Sequence, residues 1–214
     1  MYFTPKIKTI KNKSYQLTKQ GFTLIELLIT ILILSILLTV GIPSFISSFD
    51  KKRLITATEQ VYGHLQQARI ESITRSNDVN VTFAGSGSTT WEYGYTEGNV
   101  ACAPGISSPT GANACIVIID DGDGDNTQDS DKVLKRFDGA DFTDVTMTFD
   151  LTNDPQITFS PLRGLADKGT ITFKSGLEEK LQIEVSPLGM IKVCAPGSAV
   201  GMYSADSCNE PEAE

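Results

Sequence analysis

Histidine and tryptophan occur once each, and the four cysteines form no Cys-x-x-Cys pair. A single imidazole, His64, has no second His, Cys or Asp at ligand spacing on its helix face, which argues against a metal centre or a histidine-based catalytic group and for a packing or surface role. Zinc lacks its usual ligand pattern too. Basic charge is scarce: 18 Lys and Arg face 26 Asp and Glu, a net charge of −8. Five of those lysines (Lys6, Lys8, Lys11, Lys13 and Lys19) lie in residues 1–21, which hold no acid, so the remainder carries 13 basic and 26 acidic residues, net −13. A chain this acidic repels phosphate, and nucleic acid is not an expected partner. With 40% hydrophobic and 21% charged residues, the composition also excludes collagen-like, coiled-coil and wholly disordered chains.

The longest absence is of charge itself. From Leu27 to Phe49 there are 23 residues without a charged side chain, and about 20 suffice to cross a hydrocarbon layer of roughly 30 Å. A single span satisfies its backbone only as a helix. The lysines ahead of it place the N-terminus in the cytoplasm and everything after Asp50 outside. A removable secretory signal fits poorly, because the apolar run is too long and Thr39-Val40-Gly41-Ile42-Pro43 offers no small-x-small cleavage site. A plain anchor leaves Glu26 unexplained. A carboxylate costs about 2.5–3.5 kcal/mol at the centre of a membrane helix and less near its end, and such groups have partners. A cut between Gly21 and Phe22 would create an amino group one helical turn from Glu26, or near the Glu26 of an adjacent copy.

The segment Lys19-Gln20-Gly21-Phe22-Thr23-Leu24-Ile25-Glu26-Leu27-Leu28 resembles the class III signal of type IV pilins and type II secretion pseudopilins. The resemblance implies removal of residues 1–21 by a prepilin peptidase, methylation of the Phe22 amine, assembly through Glu26, and a helix-kinking proline at Pro43. It also implies a bacterial inner-membrane protein that passes into a pilus or pseudopilus filament, packed on other pilins or pseudopilins through its N-terminal helix. Residues 22–48 are then the membrane and filament-core helix.

Beyond the membrane, Leu54, Ala57, Val61, Leu65 and Ala68 recur at helical spacing, so residues 49–76 continue the same helix with one apolar face. Gly41 and Pro43 weaken the ladder between the two halves, and a bend or local melting is expected there. From residue 77 the period changes to two. Val79, Val81 and Phe83 alternate with polar residues, as do Ile171 and Phe173, and Leu181, Ile183 and Val185. Further strand-like runs are Trp91–Tyr95, Ile116–Ile119, Val133–Phe137, Val145–Phe149, Ile157–Phe159 and Ile191–Val193. The fold class is α+β: a long N-terminal helix, then a mainly antiparallel β head over residues 77–214, built as two packed sheets.

Within the pilin superfamily the chain is similar to the GspH/FimT group of minor pilins and minor pseudopilins. Arg53-Leu54-Ile55-Thr56-Ala57, Gln66-Gln67-Ala68-Arg69-Ile70-Glu71-Ser72, Ile157-Thr158-Phe159-Ser160-Pro161-Leu162-Arg163-Gly164 and Ser186-Pro187-Leu188-Gly189 carry that similarity. It implies a structural subunit, not an enzyme, acting in pilus assembly or at the tip; a type II secretion minor pseudopilin is the alternative, and a DNA-uptake pilin a further one. DNA-binding members carry a Gly-Arg-x-Arg pattern. Here Gly189-Met190-Ile191-Lys192 lacks both arginines and reads as a turn into a core strand.

Two features of the head remain. Asp121, Asp123, Asp125 and Asp129 fall at positions one, three, five and nine of an EF-hand-like loop, with Asn126 and Lys132 where Gly and Glu belong. Calcium there competes with a solvated acidic turn. Cys102, Cys115, Cys194 and Cys208 all lie on the expected periplasmic side, where disulfides persist. Four cysteines allow three connectivities, of which pairing of chain neighbours is the simplest.

Overall fold

The computed structural model describes residues 21–119, 129–205 and 208; within these, the side chains of residues 40–44 and 129 are not described. Residues 1–20 and the aspartates Asp121, Asp123 and Asp125 of the EF-hand-like loop lie outside the described residues, as do the side chains of Asp129 and of Pro43 with its expected kink. The chain divides into two compact units between Pro43 and Ser44.

One helix, α1, runs from Leu24 to Arg75. It continues through Gly41 and Pro43 without the local melting expected there. A proline removes one donor from the ladder, and one missing bond does not end a helix of 52 residues. The end comes where backbone conformation changes hand: Ser76 has φ 51°, and Asn77 N–H closes back onto the Ser72 carbonyl at 3.2 Å.

In the second unit α1 buries the stripe Leu54, Ala57, Val61, Leu65 and Ala68, all at 0% exposure. Two polar residues, Thr58 and Ser72, share that buried face because their hydroxyls donate back to the Leu54 and Arg69 carbonyls.

Among the described residues ten strands follow: β1 Val79–Ala84, β2 Glu92–Glu97, β3 Ile116–Ile118, β4 Lys132–Leu134, β5 Arg136–Asp138, β6 Thr146–Leu151, β7 Gln156–Phe159, β8 Gly169–Lys174, β9 Lys180–Val185 and β10 Ile191–Cys194. They form two four-stranded antiparallel sheets, β5-β2-β1-β7 and β10-β9-β8-β6, with β3-β4 as a separate hairpin. The run Val133–Phe137 is split at Lys135. There the backbone changes partners: Lys135 N–H donates to the Cys115 carbonyl at 2.7 Å, and the Lys135 carbonyl accepts from Tyr95 N–H at 3.0 Å.

Aromatic contacts join the sheets. Trp91 meets Phe173 edge-on at 5.7 Å, Phe83 lies 5.8 Å from Phe149, and the Trp91 indole donates to the Val145 carbonyl at 3.0 Å. Gly139 is required here, since a Cβ at that position would overlap the indole. On the other side of β1, Asn80 and Thr82 are buried yet satisfied. Asn80 donates to Gln156 and Thr158 of β7, and Thr82 Oγ1 accepts from Cys102 N–H and donates to Asn80 Oδ1.

Two disulfides, Cys102–Cys115 and Cys194–Cys208, close loops with sequence separations of 13 and 14. On the chain-entropy model each contributes on the order of 3 kcal/mol by restricting the unfolded chain.

The buried stripe makes α1 the spine of the head. Leu65→Ala is expected to lower the unfolding free energy of the full chain by about 2–5 kcal/mol, measured by urea denaturation in detergent; a loss below about 1 kcal/mol would show that the stripe does not carry the core.

Candidate functional site

The N-terminal end of α1 is organised by Thr23. Its Oγ1 accepts from Glu26 N–H at 3.3 Å, and its carbonyl accepts from Leu27 N–H at 3.2 Å. Thr23 is therefore the N-cap, and Glu26 stands at the third helical position of a Thr-x-x-Glu capping pattern, where a carboxylate also meets the positive end of the helix dipole. The Thr23-to-Glu26 spacing is a local capping signal in the sequence, beyond the membrane-charge reading of Glu26. Gly21 and Phe22 precede the helix in exposed backbone, with Phe22 at 80% exposure.

Downstream of Glu26 every large apolar side chain from Leu27 to Leu38 is exposed. The hydroxyls among them do not compete for outside partners. Thr30 donates to the Leu27 carbonyl at 2.7 Å, Ser35 to Leu32 at 2.8 Å, and Thr39 to Ser35 and Ile36. This surface is apolar around its circumference, and its described polar side chains except that of Glu26 satisfy themselves. Among the described residues no helix is long and apolar enough to cross a membrane; the described side chains of this stretch stop at Thr39.

The head is tied to α1 by polar contacts at both ends of the buried stripe. Asp50, almost fully buried, accepts from Leu177 N–H at 3.3 Å, and Lys51 pairs with Glu179 at 2.9 Å. At the far end Arg75 reaches Glu71, Glu97 at 2.6 Å and the Ile118 carbonyl at 2.7 Å. Between them, Arg69 donates to the Gly164 carbonyl at 3.3 Å, fixing the Pro161–Leu165 turn against the helix. Apart from the local Arg75–Glu71 pair, these clamps connect residues 22 to 128 positions apart and leave no local signature in the sequence.

His64 is a packing residue. Its ring stacks on Phe137 with centroids 3.6 Å apart, and Nδ1 lies 2.6 Å from the Tyr93 hydroxyl. Burial lowers its pKa below the usual 6.5, and the Lys135 charge adds to the effect. Burial likewise raises the Tyr93 phenol far above its ordinary range. A neutral His64 therefore accepts from a protonated Tyr93, and nothing in the pair activates a nucleophile.

Ile191 is buried at the start of β10 after the Gly189 turn, and Lys192 is exposed. A cleft of about 500 Å³ beside β7 is lined mainly by polar groups, among them Asp78, Asn99, Gln156, Thr158 and Asp167. Glu184 lies within 4.8 Å of the Cys194 and Cys208 sulfurs. Those sulfurs are bonded to each other and are not thiolate ligands.

The comparisons with known proteins bear on this architecture. The family described as Type II transport protein GspH matches residues 57–189, from the buried stripe of α1 to the turn before β10. The chain belongs to the GspH family. This GspH-family protein also matches the prokaryotic N-terminal methylation motif over residues 17–42. It is a member of the type IV pilin and pseudopilin superfamily, whose members are structural subunits. Among solved structures it is similar to the minor pseudopilin EpsH from the type 2 secretion system of Vibrio cholerae, at 14% identity and TM-score 0.43 over 68% of this chain and 98% of that one. It is also similar to the type IV minor pilin FimU of Pseudomonas aeruginosa in two crystal forms. One gives 16% identity and TM-score 0.42 over 69% of this chain and 97% of that one; the other gives 17% and 0.44 over 71% and 95%. No curated protein sequence matches the chain.

The His64 environment sets a pH dependence. Its folded pKa lies below the unfolded 6.5, so between those values the unfolded chain binds more protons and stability falls as pH drops below 6.5. Chemical denaturation between pH 7.5 and 5 is expected to show a shallower loss for His64→Gln than for the wild type; parallel curves would place the His64 ring outside that balance.

Proposed function

We propose that this protein is a minor structural subunit of a type IV pilus, made as a membrane-anchored precursor and working in assembly initiation or at the tip. The observation that carries the reading is the N-terminal half of α1: an apolar surface exposed all round, led by one carboxylate in the first turn. Before assembly, lipid covers that surface. The uncharged run from Leu27 to Phe49 is long enough for the crossing, with the N-terminus in the cytoplasm and the head in the periplasm.

Prepilin peptidase would cut between Gly21 and Phe22 and methylation would follow on the Phe22 amine. Glu26 of the incoming subunit would meet the Phe22 ammonium of its neighbour, so that each offsets the other's burial as α1 leaves lipid for a bundle of like helices. In that environment a lone carboxylate is costly and a paired one is tolerable. The pairing therefore acts as a register mark: it is best satisfied when two helices stand at one offset.

A minor pseudopilin of a type II secretion system is the second reading, favoured by the description of the family that matches residues 57–189. A DNA-uptake role has the least support. The chain beyond residue 21 is net −13, and Lys192 stands alone where arginines mark the DNA-binding pattern. Deleting the gene separates the first two readings, since one removes surface pili and the other traps an exported protein in the periplasm.

Glu26→Ala is expected to be cleaved and inserted like the wild type and to enter filaments roughly tenfold less or worse, the ratio that about 1.4 kcal/mol gives. Quantitative immunoblotting of sheared filaments against the membrane fraction measures it. Wild-type incorporation would rule out the pairing.

A further inference from the structure

The turn between β8 and β9, residues 175–179, is closed by its own backbone. Glu178 N–H donates to the Ser175 carbonyl at 3.1 Å and Ser175 N–H to the Glu179 carbonyl at 2.9 Å, with Glu178 at φ 67°. Turns of this kind carry small or polar residues at their tips. This one carries Leu177, 49% exposed.

The tip is fixed to α1 at one level. Leu177 N–H donates to Asp50 Oδ2 at 3.3 Å, and Glu179 pairs with Lys51 at 2.9 Å. From there β9 runs beside the helix, since past its other end a Cβ on Gly189 would lie 3.0 Å from Arg69 Nε. Asp50 and Arg69 are about 28 Å apart along α1 at the usual helical rise. The tip therefore marks the Asp50 end of the head.

That level is also where α1 changes character. Before Asp50, the large side chains Phe45, Ile46 and Phe49 are exposed. After it come Lys51, Lys52 and Arg53, and the hairpin adds Lys174 and Lys180, paired in register. Beyond residue 21 the chain holds 13 basic and 26 acidic residues, yet here five cations meet four acids. Every one of those acids is engaged: Glu179 with Lys51, Asp144 with Arg53 at 4.0 Å, Glu178 with Lys174 at 2.7 Å, and Asp50 with the Leu177 amide. Lys52 and Lys180 are exposed and have no acid partner among the described residues.

Apolar and aromatic side chains on one side of a level and lysines on the other are what a lipid–water interface accommodates, and anionic headgroups attract the lysines. We propose that the β8–β9 tip is a second membrane contact of the unassembled subunit: Leu177 enters the interface, and the Lys52 and Lys180 ammonium groups meet the phosphates of anionic lipids. The inference rests on the membrane-anchored reading above and adds to it a contact made by the head. Two points of attachment hold the head in one orientation on the bilayer, which a single helix passing through it does not.

The test uses the full chain reconstituted in vesicles of phosphatidylethanolamine and phosphatidylglycerol, with phospholipid brominated near the glycerol end of its acyl chains as the quencher. Trp91, buried in the core of the head, supplies an unquenched background. Leu177→Trp and Ile33→Trp, made separately, are both expected to gain emission that the brominated lipid quenches. Adding Lys52→Glu with Lys180→Glu is expected to lower the quenching at position 177 by about twofold or more and to leave that at position 33 unchanged. Quenching at 33 without quenching at 177 would overturn this inference and leave the anchored reading standing; no quenching at 33 would remove both. A blue shift at 177 without quenching would identify a second copy of the chain as the cover, and undiminished quenching after the two charge reversals would remove the contact with phosphate; either overturns the proposal. The three substituted head residues are exposed, and unchanged Trp91 emission shows that each variant keeps its core.

Discussion

The N-terminal half of α1 has no cover of its own. From Leu24 to Leu38 its large apolar side chains are exposed, and each square ångström of such surface left in water forgoes about 25 cal/mol. The backbone is satisfied within the helix and the hydroxyls of Thr30, Ser35 and Thr39 bond to it. Everything about this segment suits a medium without water except one carboxylate. The remaining properties follow from where that surface finds cover and from what meets Glu26.

The head answers a different requirement. On the proposed function the helix leaves a membrane and packs among others, so it must hold the head firmly, and here the grip is mixed. Five apolar residues at helical spacing supply the burial, while Asp50, Lys51, Arg69 and Arg75 pin turns and strand ends along the same stretch of α1, residues 50–75. Apolar burial alone does not fix rotation or register; directional bonds at both ends do. The β sheets around it share a fold class with many unrelated functions, so the head's own role rests on its sites rather than on its architecture.

What was legible in the sequence is what repeats locally. Helical spacing placed Leu54, Ala57, Val61, Leu65 and Ala68 on one face, and alternation located β1, β8 and β9 to within a residue or two. Long-range relations were not legible. The break of one apparent strand at Lys135 comes from a change of hydrogen-bond partner from Cys115 to Tyr95, which no window of sequence contains. Gly139 looks like any loop glycine until Trp91 is seen against it. Asp131 reads as one more acid in a solvated run, because burial is a property of the hairpin and not of the residue. Thr23 is the converse case: its Thr-x-x-Glu spacing to Glu26 is a local capping signal, and the same carboxylate serves both the helix start and the membrane charge.

On the proposed function the apolar half of α1 is covered by lipid first and by neighbouring helices afterwards. A photoreactive amino acid in place of Ile33, activated in cells, measures this directly. Crosslinks to lipid are expected in the membrane pool, and crosslinks to the N-terminal helices of other pilin-type subunits in the filament pool. Crosslinks from that position to the protein's own head, in either pool, would contradict it.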